Sequence, residues 1–384
     1  MSALGLSVAQ AQLPDDGVQA ASGSGSGSGS GFGKPQYDFA APPASAPQPR
    51  WIRVPRAVGR LTSDDIGLVI NTADPYSVEV GAFYIVARKL APEQVLRIAL
   101  PLRESLTPDE FKTFAAEVEA HFGAGTQALA LAWSQPFAVG CNSITGALAL
   151  GYDGALCQHS CNASRRSPYF DAATSRPYTD LILRPSMLLA ARDVAGAKAM
   201  IRRGVAADAS LGLRGAPPVT AFFVKTGDAA RSVRAPDFPP PGLVRRFGVD
   251  VQVVTAQAIE DAKRVLLYET GRAQVDKLAT LDWVPGALAD HLTSFGGYLR
   301  GAAGQMSILD WIASGATASY GTVSEPCAHP QKFPHPQVLL LNYLQGATAI
   351  EAYWKSVAWP QQGVFIGEPL AAPFAAPVAA SARH

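Results

Sequence analysis

Short runs of β-branched and aliphatic residues alternate with longer amphipathic stretches from Ile66 to Ile366, and this alternation limits the fold more than any other feature of the chain. Strands separated by helices pair mostly parallel, because each crossover helix must pack back onto the sheet. Residues 66–72 (IGLVINT) form a continuous apolar run, as expected of a strand covered on both faces. A helix is expected over 78–90 and a second strand over 94–100. Thr107-Pro108-Asp109-Glu110 opens a helix reaching about Phe122, with Thr107 as N-cap, Pro108 in the first position and two acids facing the positive helix end. Residues 128–133 (ALALAW) make a third strand. After an interruption the alternation resumes, with helices over 193–206 and near 243–247 and strands over 219–225, 250–255 and 265–268. A helix over 306–314, a strand over 316–323, helices over 337–345 and 348–357 and a last strand over 363–366 complete it. The pattern predicts an α/β fold: a mostly parallel sheet with helices on both faces and no internal repeat.

The ends do not share this pattern. Residues 23–32 read SGSGSGSGSG, which has no side chains to bury, and Pro and Ala dominate 39–50 and 369–383. The expected organisation is a linker over 12–50, one domain over 51–369 and a flexible tail over 370–384. The domain spans about 320 residues, enough for a core of its own. Leu4–Ala11 (LGLSVAQA) resembles the end of a signal-peptide apolar region, with Ala9-Gln10-Ala11 as the cleavage pattern and no positive charge before it. Residues 1–11 are therefore expected to be a signal-peptide remnant, and the protein to be exported to the periplasm, cell surface or medium.

Between Ser134 and Pro185 regular periodicity is lost. This segment carries three of the four cysteines, Cys141, Cys157 and Cys161, and the fourth is Cys327. We expect a long insertion, and loops of this length in a compact domain are usually functional or disordered. Cys157 and Cys161 have C-x3-C spacing with no second CxxC pair, which argues against zinc. An even cysteine count in an exported chain favours disulfides, with three connectivities open, among them Cys157 with Cys161 or either with Cys141.

A net charge of +1 with 16% charged residues and no basic run offers no nucleic-acid footprint. No apolar run is long enough to span a bilayer. P-loop, GxGxxG, HExxH and G-x-S-x-G patterns are absent from the sequence, so neither a cofactor nor a metal is expected.

Ligand and catalytic groups in open α/β sheets collect beyond the carboxyl ends of the strands. Polar clusters stand there after the first strand (Asn71–Asp74), after the third (Ser134-Gln135), after Tyr268 (Glu269–Arg272) and after Val323 (Ser324–Cys327). The densest is 289–297, ADHLTSFGG. If Asp290–Ser294 begins a helical turn, His291 and Ser294 share a face. His291 would then be a general base for Ser294 or Thr293, oriented by Glu269, Glu325 or Asp74, with Gly296 and Gly297 N–H groups as an oxyanion hole. The ordinary alternative is that these groups cap backbone at a turn, and that Asp74 caps the helix after it.

The blocks VINTADPYSVEVGAFYIVARKLAPEQVLRIALP (69–101), LLYETG (266–271), WVPGALADHLTSFGG (283–297), SGATASYGTVSEP (314–326) and GVFIGEPL (363–370) resemble a bacterial family found in organisms carrying the exosortase protein-sorting system. The likeness spans about residues 64–374. More distantly, the closing region resembles the gingipain-type, caspase-like cysteine peptidases, in which one strand ends in His-Gly and the next in the nucleophilic Cys. LLYETG stands at the first place and ADHLTSFGG at the second, so Thr270-Gly271 replaces His-Gly and the cysteine is missing. The resemblance implies a caspase-like fold without the usual dyad. Two functions then compete: an exported binding or accessory protein for a protein or peptide partner, such as a cell-surface sorting component, and a peptide or amide hydrolase working at His291 and Ser294.

Overall fold

The computed structural model describes residues 49–302 and 304–376. The expected signal remnant, nearly all of the linker and the end of the tail lie outside the described residues.

The N-terminal half builds outward from β1 (Ile66–Asn71), buried along its whole length. Asp74 caps α1 (Pro75–Arg88), its Oδ1 accepting from the Tyr76 N–H at 3.0 Å. β2 (Val95–Ile98) and β3 (Ser105–Leu106) follow. α2 (Pro108–His121) opens with a reciprocal capping box, in which Thr107 Oγ1 accepts from the Glu110 N–H and Glu110 Oε2 from the Thr107 N–H. After β4 (Ala128–Leu131), the insertion is far from structureless. It holds β5 (Ala138–Val139), β6 (Asn142–Ser143), α3 (Ile144–Leu150), α4 (Ala155–Gln158) and α5 (Pro177–Leu181). Strands β3, β5 and β6 make a small second sheet. Disulfides Cys141–Cys157 and Cys161–Cys327, each with 5.2 Å between Cα atoms, tie the insertion to itself and to the segment before residue 330.

The chain continues through β7 (Ser186–Leu188), α6 (Val194–Ala207), β8 (Val219–Lys225), β9 (Gly242–Val244), β10 (Val249–Thr255), β11 (Val265–Gly271) and β12 (Trp283–Leu292). It closes with α7 (Leu309–Ser314), β13 (Ala318–Thr322), α8 (Pro336–Leu344), α9 (Ala349–Ser356) and β14 (Gly363–Gly367). Two sequence expectations need correction here. The helix near 243–247 is β9, paired antiparallel with β10 through a tight turn at Gly248, whose φ of 63° suits glycine. In place of the helical turn at 290–294, Asp290–Leu292 end the ten-residue strand β12 and 293–294 follow it into a turn.

Eleven strands form one sheet in the order β2-β1-β4-β7-β14-β13-β12-β11-β8-β10-β9. All neighbours pair parallel except β14 with β13 and β10 with β9. The antiparallel β13·β14 seam reverses strand direction, so the sheet consists of two parallel runs pointing opposite ways. Carboxyl ends of β1, β4 and β7 therefore lie on one edge, and those of β8, β11, β12 and β13 on the other. The expected convergence of polar strand ends on a single edge does not occur.

Register fixes the faces. Glu269 pairs with Asp290, and Asp290 with Tyr320, so all three project to one side. Thr270 pairs with His291 on the other. The first side is covered by α9, whose Trp354 stacks on Phe365 with centroids 4.4 Å apart; Phe365 pairs with Tyr320. The second is covered by α7, whose Trp311 packs edge-on against Tyr268 at 5.0 Å. Helices thus flank both faces. The chain also stays packed beyond Pro369: Phe374 meets Phe247 and Tyr343, and the carbonyls of Ala372 and Pro373 accept from Ala209 and Leu211 N–H groups.

Candidate functional site

The β11/β12 edge is where the sequence concentrates its chemistry, and its histidine is sealed. His291 is wholly buried. Its Nδ1 accepts from the Trp311 indole N–H at 2.9 Å, which places the ring proton on Nε2, and Nε2 donates to the Met306 carbonyl at 3.1 Å. Neither nitrogen keeps a free lone pair. Burial pulls its pKa down to about 4, against the smaller opposing effect of the Met306 carbonyl. A general base needs a lone pair within reach of the proton it abstracts, and this ring has none to offer.

Neither intended partner of His291 bonds its ring. Thr293 Oγ1 donates to Gln305 Oε1 at 2.6 Å and accepts from Arg231 Nε at 3.2 Å. The half-buried Ser294 hydroxyl has no hydrogen-bond partner among the described residues, and its carbonyl accepts from Thr322 Oγ1 at 2.9 Å. Gly297 N–H donates to the Thr322 carbonyl at 2.9 Å, which removes it from an oxyanion hole. The glycine pair serves backbone packing instead: a Cβ at Gly297 would stand 2.4 Å from the Gly321 carbonyl oxygen.

The three candidate carboxylates do not orient His291. Glu269 projects from the opposite face of the sheet. Glu325 Oε1 accepts from the Cys327 N–H at 2.7 Å, beside the Cys161–Cys327 bridge. Asp74 caps α1 on the opposite sheet edge. The ordinary alternatives, backbone capping and turn bonding, describe Asp74 and Glu325, whereas the Thr293 hydroxyl bonds two side chains instead of backbone.

Sequence reasoning missed the residue that organises Glu269. Arg234, in the loop after β8, is 2% exposed and donates to Asp290 Oδ1 at 2.6 Å, the Thr270 carbonyl at 2.9 Å and the Pro334 carbonyl at 3.0 Å. Glu269 Oε2 lies 3.6 Å from the same guanidinium, and both Glu269 oxygens lack a hydrogen bond. Burial, then the adjacent Asp290 carboxylate, push the Glu269 carboxyl far above the usual range. Glu269 is thus the neutral member of the group, and Asp290–Arg234 the ion pair. No local pattern around Arg234 announces this role, because its partner lies 56 residues away.

Outside the sealed histidine is a cleft of about 780 Å³. Gln305 and Met306, whose inner contacts hold Thr293 and His291, form part of its wall, with Gln135, Arg192, Gln274 and Arg300 around them. Arg300 donates to Gln135 Oε1 at 3.0 Å, and Arg192 pairs with Asp310. The lining mixes amides and ion pairs with Leu299, Leu309 and Val275, a combination that suits a peptide backbone with modest side chains. Among the described residues no group of three or more His, Cys, Asp or Glu is arranged to hold a metal ion, and no helix is long and apolar enough to cross a membrane. Comparisons with protein-family models, with curated proteins and with solved structures find no match to this chain.

Proposed function

We propose that this chain is an exported, non-catalytic binding protein that takes a peptide or protein partner in the cleft beside α7, as an accessory to protein handling at the cell surface. The observation that carries the proposal is the state of His291: buried, with both ring nitrogens bonded, and on the opposite face of the sheet from Glu269. The cysteines support it as well, since all four are in disulfides and no thiolate remains as a nucleophile. Two disulfides in one domain favour an oxidising compartment. At the places where a caspase-like peptidase would carry its dyad, this chain has Thr270-Gly271 and a locked histidine.

The test is labelling of the purified, non-reduced protein with a fluorophosphonate serine-directed probe. The expected result is no labelling above that of the heat-denatured protein. Labelling of the native protein that disappears in Ser294→Ala would overturn the proposal in favour of a hydrolase.

A further inference from the structure

A second cavity, of about 270 Å³, lies on the other face of the sheet from the sealed histidine. At a liquid volume of roughly 30 Å³ per water, it holds about nine waters, the space of one amino-acid-sized molecule. Its floor is Arg234, a nearly fully buried guanidinium. Three hydrogen bonds occupy Arg234, and a guanidinium has five N–H donors, so two remain without an acceptor. At the rim stands Arg166, its guanidinium carbon 4.6 Å from the centroid of Phe170, which also lines the cavity. Stacking on the ring pre-orients that cation at little entropic cost. Arg166 has no carboxylate within ion-pair distance among the described residues.

A third group is also waiting. His335 lines the cavity, and its Nδ1 is buried without a hydrogen-bond partner. Its Nε2 lies 4.0 Å from Asp237, the one carboxylate in the wall. Buried polar atoms are paired in the large majority of cases, so an unpaired one in a cavity wall marks a place for a ligand atom or ordered water. Between these polar groups the walls are apolar, made by Phe170, Phe333 and the prolines at 330 and 336. Two guanidiniums in one small cavity with aromatic walls are the requirements of a planar anion carried on an apolar body.

We propose that this cavity binds a carboxylate on a compact apolar body, with Arg234 and Arg166 taking the carboxylate and Phe170 and Phe333 the apolar part. The carboxylate comes either from a free small acid or from the C-terminus of a peptide. The site is separate from the cleft beside α7 and does not depend on the function proposed for it.

The probes are 3-phenylpropionate, its neutral amide, and a short peptide ending in phenylalanine with either a free or an amidated C-terminus. Binding to the full chain is followed by isothermal titration calorimetry. Arg166 is exposed, so Arg166→Gln folds as the parent does, which circular dichroism checks; Arg300→Gln in the cleft is the control. The acid is expected to bind, with both its amide and Arg166→Gln weakening binding by about tenfold or more, the worth of one charge-assisted hydrogen bond. Arg300→Gln should leave it unchanged. Binding of the free-acid peptide but not of 3-phenylpropionate supports the site and assigns the carboxylate to a partner protein. Failure of every acid to bind, equal binding of acids and amides, or an unchanged affinity in Arg166→Gln overturns the proposal.

Discussion

Glu269 carries the largest electrostatic burden of any single residue at the β11/β12 edge. It faces Asp290 in register, and one guanidinium serves both carboxyls. Because Arg234 bonds Asp290 and only approaches Glu269, the proton resides on Glu269. Its folded pKa stands well above the ordinary 4.5, so the native state holds a proton that the unfolded chain releases once the pH exceeds that value. The stabilisation is complete below the unfolded pKa and is lost as pH rises toward the folded one, at up to about 1.4 kcal/mol per pH unit. Glu269→Gln keeps the shape and removes the ionisation. Its stability relative to the parent should therefore increase in urea denaturation as pH rises above the ordinary carboxylate range, and a pH-independent difference would contradict the assignment. The contrast with Asp74 and Thr107 shows what a sequence reveals at this scale. Their caps are legible because donor and acceptor lie within three residues of each other. The Arg234–Asp290 pair is not legible, since only the folded sheet brings its members together.

At the scale of elements, hydrophobic periodicity located most strands and helices within a few residues, because burial imposes period two on strands and 3.6 on helices. It failed at β12, where Pro285 and Gly286 read as breakers inside WVPGALADHL. The structure absorbs them in an irregularity of pairing: Val265 pairs with Trp283 but Leu267 with Leu288, and Gly286 takes a φ of 85°. It also failed in the insertion, whose strands are two residues long and which two disulfides cross-link. The bridges differ in reach, closing loops of 16 and 166 residues. On chain entropy these correspond to about 3 and about 5 kcal/mol. The double variant Cys161→Ala/Cys327→Ala should therefore lose more stability to urea than Cys141→Ala/Cys157→Ala. Equal losses, or the reverse order, would show that the long loop is already constrained in the unfolded chain.

At the scale of the whole molecule, the β13·β14 seam matters most for function. Alternating strands and helices foretold a mostly parallel sheet but could not foretell that strand direction reverses in the middle, since periodicity carries no direction. The reversal sends Asp74 to one edge and Glu269, His291 and Ser324 to the other, so these groups do not form one site, while Ser134 and Gln135, just past β4, reach the wall of the cleft outside His291. What remains at the carboxyl edge of the second run is a packed junction behind a cleft. The proposed binding role requires that no base titrates there, and this can be observed directly by NMR of the imidazole of His291 in the native protein across acid to neutral pH. The ring is expected to remain in the neutral Nε2–H form and to take up a proton only near its depressed pKa of about 4. Protonation of His291 near the ordinary 6.5, with a rapidly exchanging ring proton, would contradict the sealed junction and return the edge to catalysis.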